Sequence, residues 1–352
     1  MPAPLHIAHR PVGPGHRAFV IAEIGVNHDG SLATALRLVA AARAAGADAV
    51  KLQLFRADRL LNREAELAAY QRSAGARTAA DLLRRYELAD DAVAELVAAI
   101  RNAGLVPLAT PFSPEDVGHV ARLGLPAVKL ASPDLVNPLL TDAAAELGLP
   151  LLLSTGAATL EEVDWAVSRL RNQHAAFALL HCVSAYPTPP DSAAVAAVGA
   201  LAARYVVPVG YSDHTQALTA GALAVACGAH LVEKHLTHDR AAPGPDHAAS
   251  ADPGQFREYV RLIREAETLL GDGRKRLQES EADVRRVSRQ SLVARRFLPV
   301  GTIIARADLA CQRPGTGIPA RELDAVVGQA AACDLPAGTV LRRGHLRTAL
   351  AA

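Results

Sequence analysis

Apolar and polar positions along the chain follow two alternating rhythms. Short β-rich runs recur: FVIAEIG (19–25), DAVKLQLF (48–55), LVPLAT (105–110), PAVKLAS (126–132), PLLLST (150–155), FALLHCVS (177–184), YVVPVGYS (205–212) and AHLVEKH (229–235). Between them, the stretches 31–45, 89–103, 114–123, 159–172 and 215–227 carry apolar residues at helical spacing. Asp29-Gly30-Ser31 and Ser212-Asp213-His214-Thr215 read as helix starts, and Gly46 and Gly228 as stops before the next strand. Eight strand–helix units in succession predict an α/β fold, a (β/α)8 TIM barrel, in preference to a doubly wound sheet. The segment 56–88 is too long for an ordinary connection and is expected to form a helical lid over the catalytic end.

The rhythm changes after residue 270. The expected boundaries are a barrel over 1–270, a charged linker with a helical portion over 271–287, and a compact second domain over 288–352. Within that last part LPVGTII and LPAGTVL form an internal near-repeat, each a turn leading into a strand.

Alternation also sorts the polar residues. In LVEKHLTH (231–238), Glu233 and His235 share one strand face and Lys234 takes the other. An acid and an imidazole inside a core are costly unless they bind something. Barrel chemistry sits at the C-terminal ends of the strands, and those ends hold Glu23, Asn27, Lys51, Gln53, Thr110, Lys129, Ser132, Ser154, Ser184, Ser212, His214, Glu233 and His235. The chain has four lysines, Lys51, Lys129, Lys234 and Lys275, three of them in strand-like runs. Lys51 and Lys129, with the hydroxyls, point to an anionic substrate; a structural ion pair or a Schiff-base lysine are the other readings. Lys234 has helix-facing parity, so a structural role is expected there, and His181 is read as a core residue. His214 and His235 end adjacent strands, about 4.8 Å apart, where two imidazoles can share one divalent ion and leave positions open. Asp246, in the Pro/Gly-rich loop DRAAPGPDHAAS (239–250), is a further candidate contact.

Composition narrows the classes. A 50% hydrophobic chain of 352 residues can bury a sizeable core. Its 37 basic and 36 acidic residues give a net charge of +1, with no bulk attraction to nucleic acid or anionic membrane. No apolar run approaches the roughly 20 residues that span a bilayer, and MPAPLHIAHRPVGPGHR carries no signal-like apolar region. Cys182, Cys227, Cys311 and Cys333 form no CxxC pair, which fits buried thiols in a reducing cytoplasm.

In order along the chain, IAEIGVNHDGS, GADAVKLQLF, ATPFS, VKLASPDL, STGAATLEEV, HCVSAYPTPP, GYSDHT and VEKHLTHDRAAPGPDHAAS resemble the sialic acid synthase family, and RPGTGIP is similar to its C-terminal antifreeze-like domain, a small β-clip type fold. The resemblance covers nearly the whole chain. It implies condensation of phosphoenolpyruvate with an open-chain N-acylated amino sugar, with C–O cleavage and phosphate release. It implies a divalent ion, usually manganese with magnesium or cobalt as substitutes, on His214 and His235. Phosphoenolpyruvate would lie across Lys51, Thr110, Lys129, Ser132, Ser154, Ser184 and Ser212, with Gln53 and Phe112 shaping the pocket. Glu23, Tyr186 and Asp246 would contact the sugar, and Glu233 would be a neighbour of the metal and a proton carrier. A domain-swapped homodimer would bring Arg313 to the other subunit's site. Leu54, Ala157, Val183 and Ser184 depart from common family forms and leave the sugar open between sialic, legionaminic, pseudaminic and spore-coat types, with KLQLFRADRL leaning towards the last. The alternatives are a keto-deoxy sugar acid synthase using a shorter aldose, and a non-catalytic sugar-binding scaffold.

Overall fold

A computed structural model describes residues 2–62, 65 and 78–348. The chain divides into two compact units, Met1–Asp272 and Gly273–Ala352.

The first unit opens with an antiparallel hairpin, β1 (Leu5–Ile7) and β2 (Arg10–Val12), which the sequence reading did not include. Eight parallel strands then close into a barrel: β3 (Phe19–Glu23), β4 (Ala49–Leu54), β5 (Val106–Pro111), β6 (Val128–Leu130), β7 (Leu151–Ser154), β8 (Phe177–Cys182), β9 (Val209–Asp213) and β10 (Leu231–His235), with β10 pairing back onto β3. Each strand buries both faces, so its code is apolar on both sides rather than half polar. Outward residues such as Val20, Val50, Leu130, Leu153, Leu179 and Val232 join the large core against the helices. Inward residues Phe19, Ile21, Ala49, Val106, Leu108, Leu152, Ala178, Leu180 and Leu231 pack with Leu5, Ile7 and Val12, so the hairpin's apolar side chains complete the core inside the barrel.

Helix boundaries follow local chemistry. Ser31 caps Leu32–Ala45, which ends on Gly46 at φ 83°, a left-handed position suited to glycine. Thr159 and Glu162 form a capping box for Leu160–Asn172, and Asp252 and Gln255 another for Pro253–Leu270. The expected start at Ser212–Thr215 is not one: the helix there spans only Ala220–Ala226. Ser212 instead bonds Glu233 inside the barrel, and the Asp213 carboxylate accepts from the Thr215 N–H and from Lys234. Tyr205 likewise ends the helix Ala197–Tyr205 rather than opening a strand, and its hydroxyl donates to Asp164. Helices Pro138–Glu146, Ala197–Tyr205 and Pro253–Leu270 were not picked out from sequence. Of the expected lid over 56–88, Ala57–Leu60 and Ala79–Arg84 are short helices; residues 63–64 and 66–77 lie outside the described residues.

In the second unit, Ala282–Ser288 is a helix with no buried residue. Strands Ser291–Ala294 and Leu309–Gln312 pair antiparallel, as do Ala330–Ala331 and Leu346–Arg347. The near-repeat is a structural one. Leu298 and Leu335 exchange both backbone hydrogen bonds at 2.9 Å, and the equivalent Gly301 and Gly338 N–H groups bond Ala331 and Ala294.

Lys234 and His181 are outward-facing barrel residues with polar groups. The Lys234 ammonium sits 3.0 Å from the Asp213 carboxylate, also donates to the Thr215 carbonyl, and lies 5.3 Å from the Tyr259 ring centre. Both charges are buried, so removing one strands the other. His181 is half-buried rather than enclosed in the core; it stacks 5.8 Å from Tyr211 with Nε2 2.9 Å from the Ala193 carbonyl. Burial holds its pKa below the ordinary 6.5.

Lys234→Met is expected to lower unfolding free energy by ~3–5 kcal/mol in denaturant titration, as for a broken buried ion pair. His181 binds protons less readily folded than unfolded, so its contribution is present above pH 6.5 and lost as pH falls through the lower folded pKa. His181→Gln should therefore reduce the slope of stability between pH 7 and pH 5; an unchanged slope would contradict the assignment.

Candidate active site

The barrel interior is apolar below and polar at the C-terminal mouth, and parity draws the line. Ile21 is followed on its face by Glu23, Ala49 by Lys51 and Gln53, and Leu108 by Thr110. Leu152 is followed by Ser154, Leu180 by Cys182, and Leu231 by Glu233 and His235. Register sets Lys51 opposite Glu23, and Glu233 opposite Ser212.

Four charges meet there, all buried: Glu23, Lys51, Lys129 and Glu233. The Lys51 ammonium is 2.5 Å from one Glu23 oxygen and 3.6 Å from Glu233, and donates to the Thr110 hydroxyl at 2.9 Å. Lys129 donates to Ser154 Oγ at 2.6 Å and to the Leu130 carbonyl at 3.0 Å. Glu23 Oε1 accepts the Gly25 N–H at 2.6 Å, and Ser212 donates to Glu233 at 3.0 Å. Two cations and two anions can stay in a dry interior because they satisfy one another.

The two carboxyls are nonetheless unlike. Burial raises the Glu23 pKa, Lys51 only partly opposing it and Glu233 adding to it. For Glu233 burial pushes the same way, but Lys129, Lys51 and His235 outweigh it and hold the group at about 2. Burial lowers Lys129, whereas Glu23 and Glu233 overcome burial and raise Lys51. A pair of acids driven apart in this way divides into a proton carrier and a fixed charge.

His214, just past β9, and His235, at the end of β10, have ring centres 5.2 Å apart at 63°. His214 Nδ1 donates to the Val183 carbonyl at 3.0 Å, which leaves Nε2 as the ring atom that can meet a cation; against burial, Cys182 raises the ring's pKa. Among the described residues His235 Nδ1 is buried without a hydrogen-bond partner, and it lies 3.6 Å from an Asp246 oxygen. Burial, His214 and Lys51 hold the His235 pKa well below its ordinary value, so the ring is neutral, the form that ligates metals. Burial pushes the Asp246 carboxyl up to about 7. Two imidazoles and a carboxyl, with one orphaned ring nitrogen, suit a divalent cation.

These groups line a cavity of about 350 Å³. Of the residues expected from sequence, Lys51, Gln53, Thr110, Phe112, Lys129, Ser132, Ser154, Tyr186, Ser212, His214, Glu233, His235 and Asp246 line it. Glu23 lies behind Lys51, fully buried. Asn27 is also buried, its amide donating to the Leu236 carbonyl and to Ser250. Ser184 is exposed, close to where a side chain on Gly156 would project. Arg313 is exposed on the second unit.

Several residues in or beside the lining escaped the sequence reading. Cys182 had the right parity but reads as a core thiol; its sulfur is 3.7 Å from His214 Nδ1. Gly156 donates its N–H to Ser132 Oγ at 3.0 Å, and a Cβ there would collide with Ser132, Cys182 and Ser184, so glycine keeps this wall open. Leu60, Leu61 and Leu83 cover the mouth with Val26, Phe55 and Phe112, a grouping set by tertiary structure that no local pattern announces.

A model of the NeuB family matches residues 38–275, and a SAF domain model matches 289–347. An N,N'-diacetyllegionaminic acid synthase of Legionella pneumophila is 38% identical over 344 residues, spanning 96% of this chain and 97% of the relative. The crystal structure of an N-acetylneuraminic acid (sialic acid) synthetase from Leptospira borgpetersenii, in complex with citrate, is 32% identical with a TM-score of 0.74, covering 81% of this chain and 95% of that one. A spore coat polysaccharide biosynthesis protein E structure from Chromobacterium violaceum is 26% identical with a TM-score of 0.81, covering 94% and 100%.

Proposed function

The chain belongs to the NeuB family, and from that premise we propose that it is a nonulosonic acid synthase, condensing phosphoenolpyruvate with an open-chain N-acylated amino sugar and releasing phosphate. The observation that carries this reading is the convergence of Lys51, Lys129 and their hydroxyl partners with the His214–His235 pair in one cavity.

Lys129 with Ser154 and Ser132, and Lys51 with Thr110, form the cradle for the phosphate and carboxylate of phosphoenolpyruvate. Binding that anion requires net positive charge. Glu23, with its raised pKa, is the carboxyl that takes up a proton and frees Lys51, while Glu233 stays ionised. A divalent cation held by His214 and His235, with Asp246 alongside, would supply Lewis-acid polarisation of the acceptor aldehyde; manganese is the assignment we favour, with magnesium and cobalt as substitutes. Lys51, which lines the cavity, then delivers the proton that the aldehyde oxygen needs when carbon 3 of phosphoenolpyruvate bonds to the aldehyde carbon, and Glu23 behind it replaces that proton. Through Lys51, Glu23 takes one back from the water that adds at carbon 2. The carbon 2–oxygen bond breaks, phosphate departs with the bridging oxygen and with the proton of the new carbon 2 hydroxyl, and a 2-keto acid remains, with no net proton drawn from Glu23.

The upper wall of Val26, Phe55, Leu60, Leu61, Leu83 and Phe112 is apolar, suiting N-acyl methyls and deoxygenated carbons of the acceptor. With the 38% identical relative, this favours a di-N-acylated hexose leading to a legionaminic-type product over the spore-coat type. Among the described residues no helix is long and apolar enough to cross a membrane, and all four cysteines are free, in keeping with a cytoplasmic reaction. Arg313 is assigned to the opposite subunit's cavity in a domain-swapped homodimer.

Phosphate release should require phosphoenolpyruvate, manganese and an N-acyl hexosamine together, cease with chelator, and carry 18O from the bridging position into phosphate. Release only with short aldoses would favour the keto-deoxy sugar acid reaction, and none with any acceptor a scaffold. Lys129→Ala is expected to lower kcat/KM for phosphoenolpyruvate by about 10²-fold or more, as for loss of one preorganised donor. Mixing Arg313→Ala protein with Lys129→Ala protein should restore part of the activity; no recovery in verified mixed dimers would place Arg313 outside the opposite site.

A further inference from the structure

Beside the mouth, but outside the cavity lining, three ligating side chains converge that the proposed reaction does not use. Asp29, on the loop after β3, turns its two carboxylate oxygens to two imidazoles: Oδ2 lies 2.8 Å from His238 Nε2 and Oδ1 2.9 Å from His247 Nε2. The rings are 5.2 Å apart at 72°, and the three ligand atoms all lie within 4.8 Å of one another. His247 is fully buried, while the side chains of Asp29 and His238 keep 34% and 29% exposure.

We propose that Asp29, His238 and His247 form a second divalent metal site, of the zinc class, that fastens the 239–246 loop at both of its ends. Two imidazoles and one carboxylate are a recognised zinc donor set that leaves one position for water. A tetrahedral ion with bonds of ~2.0–2.1 Å sets its donors roughly 3.3 Å apart; the two imidazoles face different Asp29 oxygens, at 2.8 and 2.9 Å, so a turn of that carboxylate would present one oxygen to an ion shared by both rings. His247 has the outer support such ligands require, since its Nδ1 is 2.6 Å from the Thr237 hydroxyl. The exposed edges of Asp29 and His238 give the ion an entry path.

The position gives the site a purpose. His238 and His247 bracket the segment that carries Pro245 and Asp246 into the active cavity. Both ends are tied to one residue of the β3 loop, so an ion there would hold Asp246 in place without touching substrate. This inference stands on its own geometry and does not depend on the identity of the acceptor.

The test uses the full chain with His214→Ala and His235→Ala, which removes the imidazole pair of the mouth. After metal removal and dialysis, zinc calorimetry should show one equivalent, and cobalt should give the visible absorption of a tetrahedral ion. Adding His238→Leu, or Asp29→Asn as an independent variant, should abolish that equivalent with circular dichroism unchanged. Thr237→Val should weaken it by about 10–100-fold. Zinc should slow proteolysis within 239–246 in the parent and not in the His238→Leu protein. No equivalent in the double variant, or one that survives both His238→Leu and Asp29→Asn, would overturn the site and leave a hydrogen-bonded clasp only.

Discussion

Mutual neutralisation of Glu23, Lys51, Lys129 and Glu233 is the constraint on which the mouth depends. Each alone would carry a desolvation cost of several kcal/mol. Together, with Thr110, Ser154 and Ser212 supplying further bonds, they stay buried and keep their donors aimed. The arrangement is balanced without substrate and re-balanced with it, because one carboxyl is raised and the other held at about 2. In the proposed reaction an arriving anion would meet lysines already fixed in direction, leaving little reorganisation for the chemistry itself.

Closure of the barrel makes that constellation possible. Parallel strands bring their C-terminal ends to one rim, and alternation decides which side chains face inward. The same rule that aims Glu233 and His235 inward sends Lys234 outward to Asp213. Adjacent residues on β10 therefore do unrelated work, one set in the cavity and one in the shell. The apolar lower half, completed by side chains of the N-terminal hairpin, supplies the rigid floor against which the polar half is held.

Much of this was legible because the period of two is exact along a strand. Lys51, Gln53, Glu233 and His235 could be placed on the inner face from spacing alone. What the sequence hid has physical causes. Cys182 shares the inward parity, but a cysteine in an apolar run carries no mark separating core thiol from cavity wall. Gly156 matters for an absence of atoms, visible only once Ser132, Cys182 and Ser184 surround it. The start expected at Ser212–Thr215 failed because Ser212 and Asp213 are taken by Glu233 and Lys234 of the next strand, tertiary bonds overriding a local capping pattern. Leu60 and Leu83 reach the mouth from elements that no periodicity links to it.

The second unit applies the same economy differently. LPVGTII and LPAGTVL pair with each other through Leu298 and Leu335, and each repeat's glycine bonds a strand elsewhere in the unit. Repetition lets a fold of about 60 residues close a core by matching one motif to its copy, where a chain so short could not otherwise bury much apolar surface. That core, with Leu292, Leu298, Ile304, Leu335 and Leu341 all fully or nearly buried, also takes in Ile318 and so fastens the RPGTGI segment, whose Pro314 carbonyl and Gly317 N–H both bond Ser291 while Arg313 stays exposed. A loop carried on such a closed frame keeps its own conformation, and Arg313 on it remains available for work that the frame does not need.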